Sequence, residues 1–499
     1  MGKQKIAIRA GAPVDDAKKW NSIGWKYARR RVRRLQMRIA KAVKEGRYNK
    51  AKALSYLLTR SFYAKLLAVK RVTTNKGKNT PGVDGVLWKG AGRKWRETFN
   101  LKRRGYRPLP LRRIYIPKKN GKKRPLSIPI MHDRAMQALY KLALAPIAET
   151  TADRNSYGFR EGRSCADAIA AAFNALNKPN SATWVLEIDI LGCYDNISKG
   201  WMLNNIPMDK VILRKWLETG YVENGITYPT RKGVPQGGII SPTLANMVLD
   251  GLEEVIRKSV PRRSRVNFIR YADDGIVTGK SKKILEENVL PAIIQFLAER
   301  GLELSKEKTF ITYIRDGFTF LGQSFRKDGN VLHITPSKEG VLALQRKLGT
   351  LIRKHVGAPM PVLIKKLNDA LRGWGMYHRH VVSSEAFSKV DRYVYDRLWK
   401  MIKRRHRKKS IKWLEDNYWS AAGSSSVFAV EAKTKKDDKK VYKVLRVSSI
   451  GIKRHIKIKA DANPYMQEYA GYYYRRRHDK ESKLLGALSS REYRALKAA

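Results

Sequence analysis

The stretch Tyr271-Ala272-Asp273-Asp274 places two adjacent carboxylates between two apolar runs that read as β-strands. We predict a hairpin with its turn at Asp274-Gly275, because Asp-Gly favours a two-residue turn. Carboxylates held together at such a tip repel one another unless a cation joins them. Oxygen ligands with few neighbouring His or Cys residues favour Mg²⁺ over zinc. The stretch therefore predicts metal-assisted phosphoryl transfer, with an ordinary Asp- and Gly-rich surface turn as the alternative.

A third carboxylate can reach the same place from an upstream strand, which spans residues 185–190 and delivers Asp189. Asp195 is an alternative ligand by residue type. Its six-residue offset from Asp189 and the turn expected at Gly192 favour a structural role instead. The candidate catalytic and metal-binding residues, which would share two Mg²⁺ ions, are Asp189, Asp273 and Asp274.

Further short motifs rich in Gly, Pro and aromatic residues surround these carboxylates. In chain order they are TPGVDG (80–85), RPLSIP (124–129), YGFR (157–160), PQGGIISP (235–242) and FLG (320–322). Together with the carboxylate segments, this order resembles reverse transcriptases, and the whole set is most similar to group II intron maturases. The resemblance runs from about Trp20 to about Tyr474.

This resemblance implies an α+β right-hand polymerase whose core is divided into fingers and palm. Around that core we expect a helical N-terminal extension, a helical thumb that is the maturase X domain, and a small C-terminal DNA-binding region. We assign residues 1–75 to the N-terminal extension and 76–330 to the fingers and palm. Residues 331–405 form the expected thumb, and residues 406–499 the DNA-binding region. Many relatives carry an endonuclease with zinc-binding cysteine pairs. No cysteine follows Cys193, so endonuclease activity is not expected.

Hydrophobic periodicity agrees with this division. Residues 25–67 read as helical, with basic side chains on the faces that the apolar residues leave free. Beyond Pro336 the strand signals fade, and three basic helices are expected at 342–354, 361–378 and 384–405. A basic run at 403–409 reads as a flexible linker.

The segments 112–117 and 124–129 read as two strands of a basic hairpin. A triphosphate needs positive charge beyond that of two metal ions, and a cation-rich hairpin over the metal site can supply it. The resemblance favours Arg124 as the contact, with Lys118 as a second candidate. A charged hairpin loop that is merely solvated is the alternative.

Other substrate contacts follow from the resemblance. In the family the aromatic residue at the position of Tyr194 stacks under the incoming sugar and excludes a ribose 2′-hydroxyl. Gln236 and Gly237 belong to a glycine-rich loop that binds the deoxynucleotide. The alternative for Tyr194 is an aromatic residue that only packs against its neighbours. The alternative for the loop is that its glycines serve only its backbone dihedral angles. Lys308 is a possible proton donor to pyrophosphate, although its surroundings read as an exposed polar turn.

Basic residues cluster where nucleic acid would bind. Six of the nine residues from Lys26 to Arg34 are basic, which favours phosphate contact over a merely solvated face. The resemblance adds template contacts after the motif at 157–160 and an RNA contact in the thumb. The candidate nucleic-acid contacts are Arg30, Arg31, Arg34, Arg160, Arg163 and Arg372.

The composition also points to an anionic partner. The chain carries 104 Lys and Arg against 43 Asp and Glu, a formal net charge of +61. Nucleic acid is the partner expected for a charge of this size. No apolar run approaches the roughly 18 residues that span a bilayer, so a membrane partner is not expected. Cys165 and Cys193 are too few for a disulfide framework and agree with a reducing cytoplasm.

The resemblance implies an RNA-directed DNA polymerase that binds its group II intron RNA and assists splicing and reverse splicing into target DNA. It would then copy the inserted RNA from deoxynucleoside triphosphates. One alternative is a splicing-only RNA-binding maturase, against which the intact carboxylates argue. Another is a related reverse transcriptase recruited to antiviral defence or CRISPR adaptation. We expect a cytoplasmic location in a bacterium, with an organellar location as the alternative. The oligomeric state does not follow from the sequence.

Overall fold

The computed structural model describes residues 13–117, 121, 123–230, 232–419, 427–433 and 438–478. The chain divides into two units. The first contains residues up to Ser164 together with Leu186–Ile311 and Ile458–Arg477, and the second contains Cys165–Val185 and Thr312–Lys457. Within the described ranges, no helix is long and apolar enough to cross a membrane.

The first unit begins with helices that pack on one another through apolar faces. They are α1 (Pro13–Asn21), α2 (Trp25–Lys44), α3 (Tyr48–Arg60), α4 (Phe62–Thr74), α5 (Ala91–Asn100) and α6 (Met131–Thr151). On α2 the buried residues Val32, Ile39 and Val43 recur at helical spacing. The helical prediction for 25–67 is confirmed, although breaks near Gly46 and Ser61 divide the segment into three helices.

A basic hairpin follows, as predicted. It consists of β1 (Leu111–Pro117) and β2 (Lys123–Ile128), paired antiparallel. Two short strands, β4 (Tyr221–Glu223) and β5 (Ile226–Tyr228), extend it into a sheet with the order β2-β1-β4-β5.

A second sheet carries the carboxylates. Its strands are β3 (Trp184–Asp189), β6 (Asn267–Tyr271), β7 (Asp274–Gly279) and β8 (Phe310–Tyr313), in the order β6-β7-β3-β8. The helices along this part of the chain are α8 (Cys193–Asn196), α9 (Lys199–Asn205), α10 (Lys210–Glu218), α11 (Ser241–Leu249), α12 (Leu252–Lys258), α13 (Lys282–Ile284) and α14 (Leu290–Ala298). A π-helical turn at Leu285–Val289 joins the last two.

The second unit combines a small sheet with a helical bundle. Its elements are α7 (Cys165–Leu176), β9 (Phe318–Phe320), β10 (Gln323–Asp328), β11 (Val331–Pro336), α15 (Lys338–Lys354), α16 (Met360–His378), α17 (Ser384–Arg405), α18 (Ile411–Tyr418), β12 (Ala429–Lys433) and β13 (Lys439–Lys443). Fully buried leucines on α15 and α16 and Val390 on α17 fill the core of the bundle. This confirms the three helices predicted after Pro336.

Two features of the second unit differ from prediction. The basic run at 403–409 is not a flexible linker, because α17 continues to Arg405 and α18 begins at Ile411 with Ser410 as its N-cap. The antiparallel hairpin of β12 and β13 had no counterpart in the sequence analysis. Neither of its strands, with the sequences AVEAK and KKVYK, alternates regularly between apolar and polar residues, so periodicity did not reveal them.

The C-terminal strap, residues 458–474, packs within the first unit. The Arg33 guanidinium on α2 lies 4.5 Å from the centre of the Tyr465 ring, and it also donates to the carbonyl of Pro464. The Tyr465 hydroxyl donates to Glu161 at 2.9 Å. Arg163 donates to the carbonyl of Ala460 at 2.7 Å. The strap thereby joins α2 to the segment that follows α6.

Candidate active site

The tip of the β6–β7 hairpin brings two carboxylates beside the end of β3. Tyr271 pairs with Asp274, so the turn consists of Ala272 and Asp273. Ala272 has a φ of +60°, a conformation that non-glycine residues rarely adopt. Asp189 is the last residue of the neighbouring strand β3.

The turn predicted at Asp274-Gly275 is therefore wrong by two residues. Gly275 lies inside β7, where a Cβ would come within 3.0 Å of the Ile188 side chain. Glycine is favoured here by the close packing of two adjacent strands, and not by a turn.

The strained turn packs against the loop at 155–158. The N–H of Tyr157 donates to the carbonyl of Arg270 at 2.8 Å. A Cβ on Gly158 would lie 2.4 Å from the backbone nitrogen of Ala272, so only glycine permits this approach. The buried guanidinium of Arg270 donates to the carbonyl of Ala272 at 3.3 Å and to Asp250 at 2.6 Å. These contacts hold the backbone that carries Asp273.

The electrostatics show that the three carboxylates are crowded. Burial raises the pKa of Asp273, and the charge of Asp189 raises it further. Burial, followed by the charges of Asp273 and Asp189, raises the pKa of Asp274 to about 6. A site that makes ionisation this costly is suited to binding a cation.

Lys308, a possible proton donor to pyrophosphate that the sequence analysis favoured as an exposed lysine, is exposed and contacts one of the three carboxylates. Its Nζ lies 3.0 Å from Oδ2 of Asp189. The backbone explains this approach, because the N–H of Ser305 donates to the carbonyl of Asp189 at 2.8 Å. Lys308 lies just before β8, which is the neighbour of β3 in the sheet, and the sequence did not predict this pairing.

The chemistry of the donor set fits a hard divalent cation, since carboxylate oxygens are the ligands that Mg²⁺ prefers. In the part of the chain that the structure describes, no group of three or more His, Cys, Asp or Glu side chains is arranged to hold a metal ion. The charges of Asp273 and Asp189 reach Asp274, but the three side chains as placed here do not form such a group.

The predicted nucleotide contacts come from three elements of the first unit. Arg124 is exposed on β2, and its charge lowers the pKa of Asp273, which places it within electrostatic range of the carboxylates. Tyr194 lies half-buried on α8, and burial raises the pKa of its hydroxyl. Gln236 and Gly237 lie in the loop before α11. Lys118 falls outside the described residues.

The predicted nucleic-acid contacts divide into two groups. Arg30, Arg31, Arg34 and Arg372 are exposed, so their side chains are accessible to phosphate. The side chains of Arg160 and Arg163 are only 6% and 1% exposed.

The prediction for this second pair needs correction. Arg160 forms a two-pronged ion pair with the buried Glu149, at 2.6 and 2.9 Å. Arg163 lies 3.7 Å from the same carboxylate and donates to the carbonyls of Arg154 and Ala460. Because these hydrogen bonds hold both guanidinium groups in the interior, the two arginines organise the protein instead of offering charge to a template.

Three family models match the chain. They are the N-terminal domain of reverse transcriptase over residues 20–101, the reverse transcriptase (RNA-dependent DNA polymerase) over 116–325, and the group II intron maturase-specific domain over 341–419. The second match covers strand β2 of the basic hairpin, the Gly-rich loop and all three carboxylates. It confirms the predicted α+β reverse transcriptase fold class.

Two curated proteins and one solved structure illustrate the similarity. Protein YkfC of Escherichia coli (strain K12) is 31% identical over 300 residues, covering 52% of this chain and 79% of that protein. Group II intron-encoded protein LtrA of Lactococcus lactis subsp. cremoris is 30% identical over 339 residues, covering 54% of this chain and 56% of that protein. The chain thus matches little more than half the length of the Lactococcus protein.

The solved structure is telomerase from Candida albicans in complex with a fragment of telomeric RNA. It has a TM-score of 0.36 and 12% identity, covering 62% of this chain and 63% of that one. A similarity this weak supports no conclusion about the present chain.

Proposed function

The chain belongs to the family of reverse transcriptases and maturases encoded by group II introns, and on that premise we propose that it copies intron RNA into DNA. The family predicted from the sequence motifs is thus confirmed. The proposed reaction is attack of a primer 3′-hydroxyl on the α-phosphate of a deoxynucleoside triphosphate, with pyrophosphate as the leaving group.

The observation that carries this proposal is the placement of Asp273 and Asp274 at the tip of the β6–β7 hairpin, beside the strand β3 that ends at Asp189. The charges of Asp273 and Asp189 both act on Asp274. Enzymes of this family generally use divalent metal ions. We propose two Mg²⁺ ions for this chain, held by these three aspartates. Bound ions of this kind activate the attacking hydroxyl and neutralise charge on the triphosphate. The raised pKa values of Asp273 and Asp274 support a site adapted to cations.

The remaining roles concern the nucleotide. Arg124, together with Lys118, would hold the triphosphate through charge-assisted hydrogen bonds. Tyr194 would support the sugar and exclude a ribose 2′-hydroxyl, while Gln236 and Gly237 would bind the nucleotide from the loop before α11. The exposure of Arg124 and its electrostatic reach to Asp273 support this assignment.

Intron RNA and target DNA are the proposed polymeric partners. The exposed arginines on α2 and Arg372 on α16 offer charge for phosphate contacts. The division into extension (1–75), fingers and palm (76–330), thumb (331–405) and DNA-binding region (406–499) also remains a proposal. In splicing the protein would stabilise the folded RNA, which performs the strand transfer itself. We further propose a cytoplasmic location.

Primer extension on an RNA template tests the polymerase assignment. With Mg²⁺ and all four deoxynucleoside triphosphates, we expect the wild type to lengthen a DNA primer. The double variant Asp273→Ala with Asp274→Ala should lose at least about 1,000-fold in rate, because the principal charge stabilisation of the transition state is removed. Glu254→Ala removes an exposed carboxylate on α12 and serves as the control. Extension that survives the double substitution would falsify the catalytic assignment.

Sequencing the RNA that copurifies with the protein tests the partner. Recovery of a group II intron RNA is expected. Recovery of an unrelated structured RNA, together with intact primer extension, would support the polymerase activity. It would also show that the natural template is not a group II intron.

A further inference from the structure

A large groove lies in the first unit, between α3, α6 and the segment that joins α9 to α10. Its volume is about 1420 Å³, and all of its lining residues belong to that unit. Clefts that bind small ligands have volumes of roughly 300 to 1,000 Å³. The size of the groove therefore favours a larger partner over a small molecule.

The floor of the groove is an apolar stripe on α6. Its side chains recur at helical spacing, and they are Met136, Leu139, Tyr140, Ala143, Leu144 and Ile147. Continued to Thr151, the stripe covers about four turns, or about 22 Å. These side chains are buried at the bottom of the groove, so a partner reaches them only by inserting long apolar side chains.

The rim of the groove carries positive charge that is not compensated. Six cationic side chains lie along it: Lys52, Arg60, Lys65, Lys102, Arg104 and Lys210. None of the six forms an ion pair with a residue that the structure describes. The two carboxylates of the lining are already paired: Asp209 bonds Arg103. Asp250 bonds the buried Arg270. Burial, followed by the charges of Lys102 and Arg60, lowers the pKa of Lys65, so the rim is suited to an anionic partner.

We propose that this groove is a docking site for an acidic amphipathic helix of a partner protein, about 15 residues long to match the stripe on α6. The apolar face of the helix inserts side chains toward α6, with anchors at i, i+3 or i+4 and i+7, and its carboxylates meet the basic rim. The inference goes beyond the proposed polymerase function and does not depend on it.

Single-stranded RNA is the competing occupant, because it is anionic too. Its bases bind by stacking on aromatic faces. The floor of the groove is aliphatic apart from Tyr140, and on the rim the Arg60 guanidinium covers one face of the Tyr56 ring at 4.0 Å. Aliphatic side chains on a partner helix therefore match the floor better than bases do.

Fluorescence anisotropy with the full chain tests the groove. The probe is a labelled synthetic peptide of about 16 residues, with leucines on one helical face and glutamates on the other. It should bind at least about 10-fold more tightly than a peptide of the same composition in shuffled order, which keeps the charge but lacks the apolar face. Equal affinities for the two peptides would overturn the proposal.

Two variants locate the binding. Val211 lines the groove on α10 and is 49% exposed, so Val211→Glu places a carboxylate against the acidic peptide and should lower its affinity at least about 10-fold. Val331→Glu, at a position on β11 that is 59% exposed, is the matched control. Lys52→Glu with Lys102→Glu should weaken binding similarly. Arg257→Glu with Lys258→Glu makes the same change of charge on α12 and should stay within about 3-fold of the wild type in 0.15 M salt, where screening acts over about 8 Å.

Two further measurements keep the outcomes distinct. A photocrosslinker on the central leucine of the peptide should label α6 or the segment before α10, and labelling confined to other elements would contradict the docking site. A single-stranded RNA of about eight nucleotides should not displace the peptide. Displacement by this RNA, with RNA affinity that also falls in Val211→Glu, would assign the groove to RNA instead. If Val211→Glu does not fold, the variant at the exposed Lys52 and Lys102 decides.

Discussion

In the candidate active site, burial and partners distant in the chain determine the environment of individual side chains. Burial is the largest reason that the pKa values of Asp273 and Asp274 rise, and their mutual repulsion adds to it. The ammonium group of Lys308 partly offsets this crowding by bonding Asp189. In a polymerase cycle, cations arriving with the nucleotide would compete with Lys308 for that carboxylate.

Tyr194 provides a prediction at the residue scale. If its ring excludes a ribose 2′-hydroxyl by contact, Tyr194→Val should raise kcat/KM for ribonucleotides relative to deoxynucleotides by about 10-fold or more, because the steric barrier is removed. Incorporation of single ribonucleotides and deoxynucleotides opposite the same template base measures this ratio. The control is Tyr48→Val, which removes an exposed ring on α3. Unchanged sugar discrimination in Tyr194→Val would remove the gate assignment.

Secondary-structure elements are held in place by a few contacts between distant parts of the chain. The loop at 155–158 supports the hairpin tip, and the C-terminal strap joins α2 to the segment after α6. Both attachments lie within the first unit. The strap is therefore part of the framework beside the exposed arginines of α2.

Replacing Tyr465 tests how strongly the strap stabilises that framework. The ring is 5% exposed, contacts Arg33 and donates to Glu161. Tyr465→Ala should cost about 3 to 5 kcal/mol, as for other buried aromatic residues, and lower the thermal unfolding midpoint. Tyr474→Ala, which removes a ring that is 68% exposed, should change it little. Equal midpoints for the two variants would show that the strap contributes no stability.

A buried histidine links α16 to β10, and we expect it to make the stability of the second unit depend on pH. Nδ1 of His378 lies 2.9 Å from the amide nitrogen of Gln323, and the ring is 4% exposed. Burial, with a contribution from His380, lowers the pKa of His378 to about 4 from its usual 6.5. Below pH 6.5 the unfolded state takes up the proton first. Stability is therefore full above pH 6.5 and falls as pH decreases toward 4.

We expect His378→Gln to reduce that dependence. The wild type should lose up to about 3 kcal/mol between pH 7 and pH 4 through this group, and the variant should lose correspondingly less over the same range. Urea unfolding at several pH values measures the difference. His333→Gln removes an exposed histidine on β11 and should follow the wild type. Parallel curves for the wild type and His378→Gln would contradict this account.

For the molecule as a whole, we expect the formal charge of +61 to dominate encounters with nucleic acid. Such a charge also opposes compaction, so phosphate binding and folding stability should support one another. The exposed arginines on α2 are the natural place to measure the effect.

Salt titration measures how much of the binding comes from phosphate contacts. With 6 to 10 such contacts, affinity for structured RNA should fall about 1,000-fold or more between 50 and 200 mM salt. Arg30→Gln with Arg34→Gln should lower the slope of log K against log salt by about 2. Arg257→Gln on α12 is the control, with a side chain that is 75% exposed. An affinity that barely responds to salt would contradict a phosphate-dominated interface.

The sequence by itself determined the order of the elements, the three catalytic candidates, the basic hairpin and the helices after Pro336. These features follow from local periodicity and short motifs. Even there, the turn lies at Ala272-Asp273 instead of Asp274-Gly275, and Gly275 lies within β7, close to the Ile188 side chain.

Only the tertiary structure decided which distant side chains meet. It paired Lys308 with Asp189, 119 residues apart, and Gln236 with Asp195, 41 residues apart. It also buried Arg160 against Glu149, although Arg160 lies in a motif that reads as a template contact. The physical reason is that burial and long-range hydrogen bonding depend on how elements pack. Neither is encoded in the spacing of residues along one helix or strand.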